Sequence, residues 1–173
     1  LIRTKSAGGV IGVIAHETGH LAGGHLARFS SHINTSSNVA LITTVLGLLT
    51  AIASGSAGAG AVMMQAGQSI ALGNIVNYSR TQEAAADEAA LTFLDRTGQS
   101  AAGLGNFLHT IENQEFLTPT NQSPYVRTHP VTRERVRRIE EQLTKSPYAK
   151  MTPSPQFEKM HDRMVAKLIA FTD

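Results

Sequence analysis

The stretch VIAHETGHLAGGH, Val13 to His25, decides how this chain is read. It holds three of the seven histidines, and two of them, His16 and His20, bracket Glu17 in the pattern His-Glu-x-x-His. On a helix these imidazoles stand one turn apart and face the same way, so both can reach one ion. Zinc takes neutral imidazole nitrogen at about 2.0–2.1 Å, and a catalytic site leaves one of its four positions to water. Glu17 then projects beside the ion, placed to take a proton from that water. An ordinary solvent-facing helix would carry lysines and arginines around these residues. Here Val10, Ile11, Val13, Ile14 and Leu21 cover most of the circumference of a helix expected over 6–29, as in a core helix.

Two histidines leave a third protein ligand to be found. Metzincin-type proteases use HExxHxxGxxH, and Gly23 stands where that glycine would be, but Leu26 occupies the last histidine's place. His25 is one position early and reads better as a supporting or surface histidine. The stretch NYSRTQEAAADEAALTF offers Glu83 and Asp87 at i and i+4, on one helix face. Glu83 is the expected third ligand, and Asp87 the expected acceptor for the outer nitrogen of a metal-bound histidine, which needs such a partner to fix its tautomer. The alanines around these acids set them apart from an evenly charged surface.

The rest of the chain bounds the setting. With 42% hydrophobic and 16% charged residues among 173, it is globular rather than disordered, and long enough for one core. A net charge of +2 implies no nucleic-acid partner, and the arginines between Arg127 and Gln142 alternate with glutamates as on a solvated helix face. There is no cysteine, hence neither a disulfide nor a thiolate metal site. The chain starts at Leu1 without a signal peptide and reads as a fragment or processed product. No charged residue occurs from Ile33 to Ser79. Its apolar run VALITTVLGLLTAIA, 39–53, is shorter than the about 20 residues that cross a bilayer. It is expected to be a buried helical hairpin, a lid, or a surface that meets membrane or an apolar partner. Helices are expected near 38–53, 61–95, 100–113, 132–145 and 156–171, the fourth capped by Thr132, with a loop over 115–130. No alternating run indicates a sheet, so the fold class is mainly α, with little or no β structure.

At these residues the chain resembles the M48 peptidases, the Ste24-like and Oma1-like zinc metalloproteases. VIAHETGHLAGGH is similar to that family's HExxH helix, and SRTQEAAADEAAL to its SRxxExxAD segment. The resemblance implies one zinc ion per chain held by His16, His20 and Glu83, with Asp87 orienting a histidine and Arg80 in a structural part. RTHPVTRERVRRI resembles the family's His-Pro landmark. It implies that His129 lies near the metal, at its open position or at the oxyanion, the plainer reading being a loop histidine at a helix entrance. The nearest likeness is to bacterial periplasmic members followed by tetratricopeptide repeats. That implies a gluzincin-type core over 1–147, a linker over 148–155 and a last helix over 156–173, where a following repeat region would start. It also implies a metalloendopeptidase with Glu17 as general base, acting on misfolded or unassembled polypeptides at a bacterial periplasm or envelope. Of the segment that precedes the HExxH helix in relatives, only LIRTKSAGG is present. The competing reading is a chaperone-like protein-binding module whose zinc is structural or blocked. The sequence leaves the oligomeric state open.

Overall fold

A computed structural model describes residues 4–118 and 120–172, so the first three residues of LIRTKSAGG lie outside the described part. The described residues form helices and turns and no strand: α1 (Ala7–Ala22), α2 (His25–Ser54), α3 (Ala57–Arg96), α4 (Ala102–Ile111), a 3-10 turn (Glu112–Phe116), α5 (Pro124–Thr128), α6 (Arg133–Lys145) and α7 (Pro155–Thr172). The mainly α expectation holds. The chain divides into two compact units, 1–23 with 83–173, and 24–82.

The first unit packs α1 against α4 and α7, and α4 against α6. Its core joins Ala90, Leu91 and Leu94 of α3, Leu104, Phe107, Leu108 and Ile111 of α4, and Val136 and Ile139 of α6. Leu104, Leu108 and Ile139 are fully buried, each worth about 1.5–3 kcal/mol relative to exposure. The buried face of α1 is not the apolar one the sequence suggests. Ile14 and Leu21 are exposed, and the inward stripe is Ala7, Gly9, Gly12, Ala15, His16 and Gly19. Small residues let backbones meet: a Cβ on Gly12 would lie 2.7 Å from Leu104 Cβ, and one on Gly19 2.6 Å from the Ala86 carbonyl oxygen. The helix carrying the histidine pair is thereby seated directly on the stretch of α3 that carries Glu83 and Asp87. At its other end the amide of Ala7 donates to Glu158 Oε2 of α7 at 3.1 Å, so a carboxylate satisfies the positive end of α1 where Ser6 does not cap it.

Several boundaries follow the sequence. Thr132 caps α6 by accepting from the amide of Arg135 at 3.4 Å, and Ser123 caps α5, a short helix within the expected loop. Gly98, at φ 68°, follows the end of α3. Others differ. The first helix stops at Ala22, not 29, because Gly24 takes φ 59° and turns the chain into α2.

The second unit is a hairpin of α2 and the first part of α3, turned at Gly55 with φ 66°. Its arms touch through small residues: Gly60 faces Gly47 and Ala51, and Gly67 faces Thr43. The expected burial is absent. Leu41, Ile42, Val45, Leu46, Leu48, Leu49 and Ile52 are all exposed.

Candidate metal centre

Four side chains from three parts of the first unit converge: His16 and His20 of α1, Glu83 of α3 and His129, which ends α5. One ligand atom from each lies within 4.8 Å of the others. His16 Nε2 stands 3.1 Å from His20 Nε2 and 3.4 Å from Glu83 Oε2, and His20 Nε2 is 3.2 Å from Glu83 Oε1. Tetrahedral donors on bonds of about 2.0–2.1 Å stand about 3.3 Å apart, so the spacing suits an ion of that kind. Glu83 is 3% exposed, and its Oε2 receives no well-aligned hydrogen bond although Arg135 Nη1 is 2.7 Å away. Two imidazole nitrogens facing each other beside an unsatisfied buried carboxylate oxygen form a donor set that a cation completes. Nitrogen and oxygen donors with no thiolate fit a borderline metal such as zinc.

Around this group lies a second layer of charge. His16 Nδ1–H donates to Asp87 Oδ1 at 2.9 Å, which leaves Nε2 free to face the cluster. Burial alone would push the His16 imidazole down. The hydrogen bonds to Asp87 and Glu83 outweigh it, and the pKa is pushed up to about 9. Burial would raise both carboxylates, but the histidines and Arg135 around them hold Glu83 and Asp87 well below the usual carboxylate range. His129 Nδ1 donates to Glu83 Oε1 at 3.1 Å, and its Nε2 is 3.7 Å from Glu17 Oε1. Glu17 is partly exposed, beside the cluster rather than in it. His25 is buried at the start of α2, in the other unit. Arg80 is exposed on α3 and forms no ion pair with a described residue.

Sequence reasoning missed Arg135. It is 5% exposed, and its Nε and Nη2 grip the two oxygens of Asp87 at 2.7 and 2.9 Å. Its Nη1 reaches both Glu83 Oε2 and the Pro130 carbonyl oxygen at 2.7 Å, so one guanidinium ties two carboxylates to the backbone next to His129. The signal was present. Arg137 and Arg138 each pair with a glutamate four residues away, Glu141 and Glu134. Arg135 has Val131 and Ile139 at those offsets, both fully or almost fully buried, which puts it on the inward stripe. Tyr125 was also missed. Its ring stacks on His129 with centroids 4.6 Å apart and holds the imidazole plane.

Comparison with known proteins gives a family. The model of peptidase family M48 matches residues 1–143. The chain is 26% identical over 166 residues to a protein of Vibrio cholerae serotype O1 named "Putative beta-barrel assembly-enhancing protease". That match covers 96% of this chain but 34% of the relative, so the chain spans about a third of that protein's length. No solved structure matches at a significant level. With residues 1–143 matched, the chain belongs to peptidase family M48, and the histidine pair and carboxylates lie within the matched part.

Proposed function

We propose that the chain is a zinc-dependent metalloendopeptidase in which His16, His20 and Glu83 hold the ion and Glu17 is the general base. The observation that carries this reading is the convergence of those three ligands with Glu17 left beside them, half-exposed and free to meet a substrate. A zinc ion bound there acidifies a water and polarises the scissile carbonyl. The protein's own groups do the rest. Asp87 fixes the His16 tautomer, and Arg135 fixes Asp87 and Glu83. Glu17 accepts the proton of the attacking water and returns it to the departing amine nitrogen. His129, 3.7 Å from Glu17, donates to the developing oxyanion when it swings off Glu83. The substrates we propose are misfolded or unassembled polypeptides of a bacterial envelope, in keeping with the printed name of the Vibrio cholerae relative.

One observation favours a second reading. His129 lies within the same ligand group, and a fourth protein donor closes a zinc site and makes it structural. The chain would then hold polypeptides without cutting them. Zinc content of wild type and Glu83→Ala, followed by hydrolysis of an unfolded protein by wild type, Glu17→Gln and His129→Ala, separates the two. The protease reading expects about one zinc per chain, far less in Glu83→Ala, and cleavage abolished in Glu17→Gln with zinc retained. Binding without cleavage in wild type and His129→Ala alike overturns it.

A further inference from the structure

We infer that residues 25–82 form a membrane-inserting helical hairpin whose partner is a phospholipid bilayer with anionic headgroups. The inference stands on the second unit alone and does not depend on the metal centre. Helix α2 is far longer than its apolar run, 30 residues, with a mean hydropathy of 1.7 in its most apolar window. The charge-free parts of the arms, 33–54 and 57–79, are each about 33–35 Å long at 1.5 Å per residue, against a hydrocarbon core of about 30 Å. Only 11% of the α2 window is buried, whereas the core helix of a soluble domain is mostly buried. The helix also follows α1, so it is not a leader.

The hairpin is built inside out. Gly47, Gly60 and Gly67 face inward with Ala51 and Thr43, the small-residue contact by which helices pack where lipid surrounds them. Met64 fills the contact against Gly47, and most of the other large apolar side chains are exposed. At 100° per residue, the exposed positions 41, 42, 45, 46, 48, 49 and 52 spread over roughly 160° of α2. A second copy docking along one seam would cover a narrower stripe; lipid covers the whole arc. The hydroxyls of Thr43, Thr44, Thr50 and Ser54 donate to carbonyls three or four residues back in their own helix, so none needs water. Gln65 and Gln68 are the largest polar side chains in the half of the α3 arm nearer the turn, and neither is charged.

The open end of the hairpin is built differently. His32 stacks on Tyr78 with centroids 3.7 Å apart, and Phe29 lies 6.3 Å from the same ring. Aromatic rings collect at the membrane–water boundary. Arg28 and Arg80 flank them, and residues 24–82 contain no Asp or Glu. That cationic collar suits anionic headgroups.

The test is flotation of the whole chain with liposomes of phosphatidylethanolamine and phosphatidylglycerol, in low and high salt. The expected result is co-flotation that survives high salt and is shared by Glu17→Gln. Leu46→Glu/Leu49→Glu should lower bilayer partition by about a hundredfold or more. Because both positions are exposed, this variant should keep its circular dichroism and metal content. The chain has no cysteine, so Leu49→Cys carrying an environment-sensitive dye should shift to the blue on adding liposomes, while Glu141→Cys should not. Flotation lost in high salt, a dye that does not respond, or a soluble oligomer that ignores liposomes each overturns the inference. Loss of proteolysis with flotation intact would overturn only the protease reading.

Discussion

Arg135→Met should show how much the buried guanidinium supports the metal centre. The side chain is 5% exposed and gives Asp87 two hydrogen bonds, at 2.7 and 2.9 Å, with Glu83 a further 2.7 Å away. Methionine keeps the apolar stem and removes the charge, leaving Asp87 opposed by His16 alone and Glu83 by the three histidines of the cluster. Breaking a buried pair in this way costs about 3–5 kcal/mol. In a chain of 173 residues each kcal/mol is worth about 2–4 °C of melting temperature, so the metal-free variant should melt roughly 6–20 °C lower. Arg135→Lys should recover only part of the loss, because an ammonium cannot fork across Asp87 and also reach Glu83. The assay is thermal unfolding by circular dichroism, with and without zinc, alongside zinc stoichiometry. A bound divalent ion supplies Glu83 with another countercharge, so the zinc-loaded variant should lose less than the metal-free one. A metal-free loss below about 2 °C, or full recovery by lysine, would refute the idea that this one side chain clamps both carboxylates.

Three further outcomes follow from the same geometry. Glu17→Gln should bind zinc as wild type does, because Glu17 stands outside the ligand group, and should lose peptide hydrolysis by at least about a hundredfold. An unchanged rate would remove Glu17 as the base. Gly19→Ala should destabilise despite alanine's higher helix propensity, worth at most about 1 kcal/mol. Its Cβ would meet the Ala86 backbone at 2.6 Å, and such overpacking costs about 1–3 kcal/mol. Thermal melting checks the sign, and zinc titration checks whether the histidine pair has moved off Glu83. The third outcome concerns pH. The His16 pKa in the folded, metal-free protein is pushed up to about 9 from an ordinary 6.5. Its contribution to stability is therefore complete below about pH 6.5 and lost as pH rises through about 9. Metal-free protein should lose melting temperature over that window and the zinc-loaded protein should not, since a coordinated imidazole is already neutral. Parallel curves would show that His16 is not the titrating group.

The longer helices of the first unit were legible where their ends carry chemistry: Thr132 accepts from a helix amide and Gly98 takes a left-handed turn; the short α5, capped by Ser123, stayed hidden in the expected loop. The second unit was less legible because its stability is not local. The polar stretch SSHINTSS, 30–37, falls between the helices expected over 6–29 and 38–53, yet α2 runs through it, and Thr35 bonds back to the Ser31 carbonyl at 3.1 Å. The glycines of AGAGA, 57–61, weaken a helix by about 1 kcal/mol each and so read as a turn. They are helical, and Gly60 lies against Gly47 on the opposite arm, a contact that only a small residue allows. In both places packing overrode propensity. The candidate cluster was legible where its residues repeat at i and i+4, as in His16 with His20 and Glu83 with Asp87. It was hidden where a single residue acts alone, as with Arg135 and Tyr125.

The placement of Arg135 explains why an arginine sits on the inward stripe of α6 when every neighbour there is apolar. Glu83 and Asp87 bring two negative charges into a region where isolated charge is expensive. A divalent ion can balance Glu83, but Asp87 faces the back of His16 and stays outside the ligand group. An unpaired Asp87 would be driven toward its neutral form by burial, and a protonated Asp87 could no longer accept from His16 Nδ1–H. The guanidinium prevents this by holding Asp87 ionised, which in turn holds His16 with its Nε2 toward the cluster. The same Nη1 that meets Glu83 also meets the Pro130 carbonyl, one residue beyond His129. A shift of His129 away from Glu83 would therefore be felt at the carbonyl that Arg135 grips, and the carboxylates would feel it through the same side chain. The arginine is thus where the charge balance of the cluster and the position of its third histidine meet. Arg135→Met should consequently change how His129→Ala affects hydrolysis, and the two substitutions should be non-additive in a double-mutant cycle.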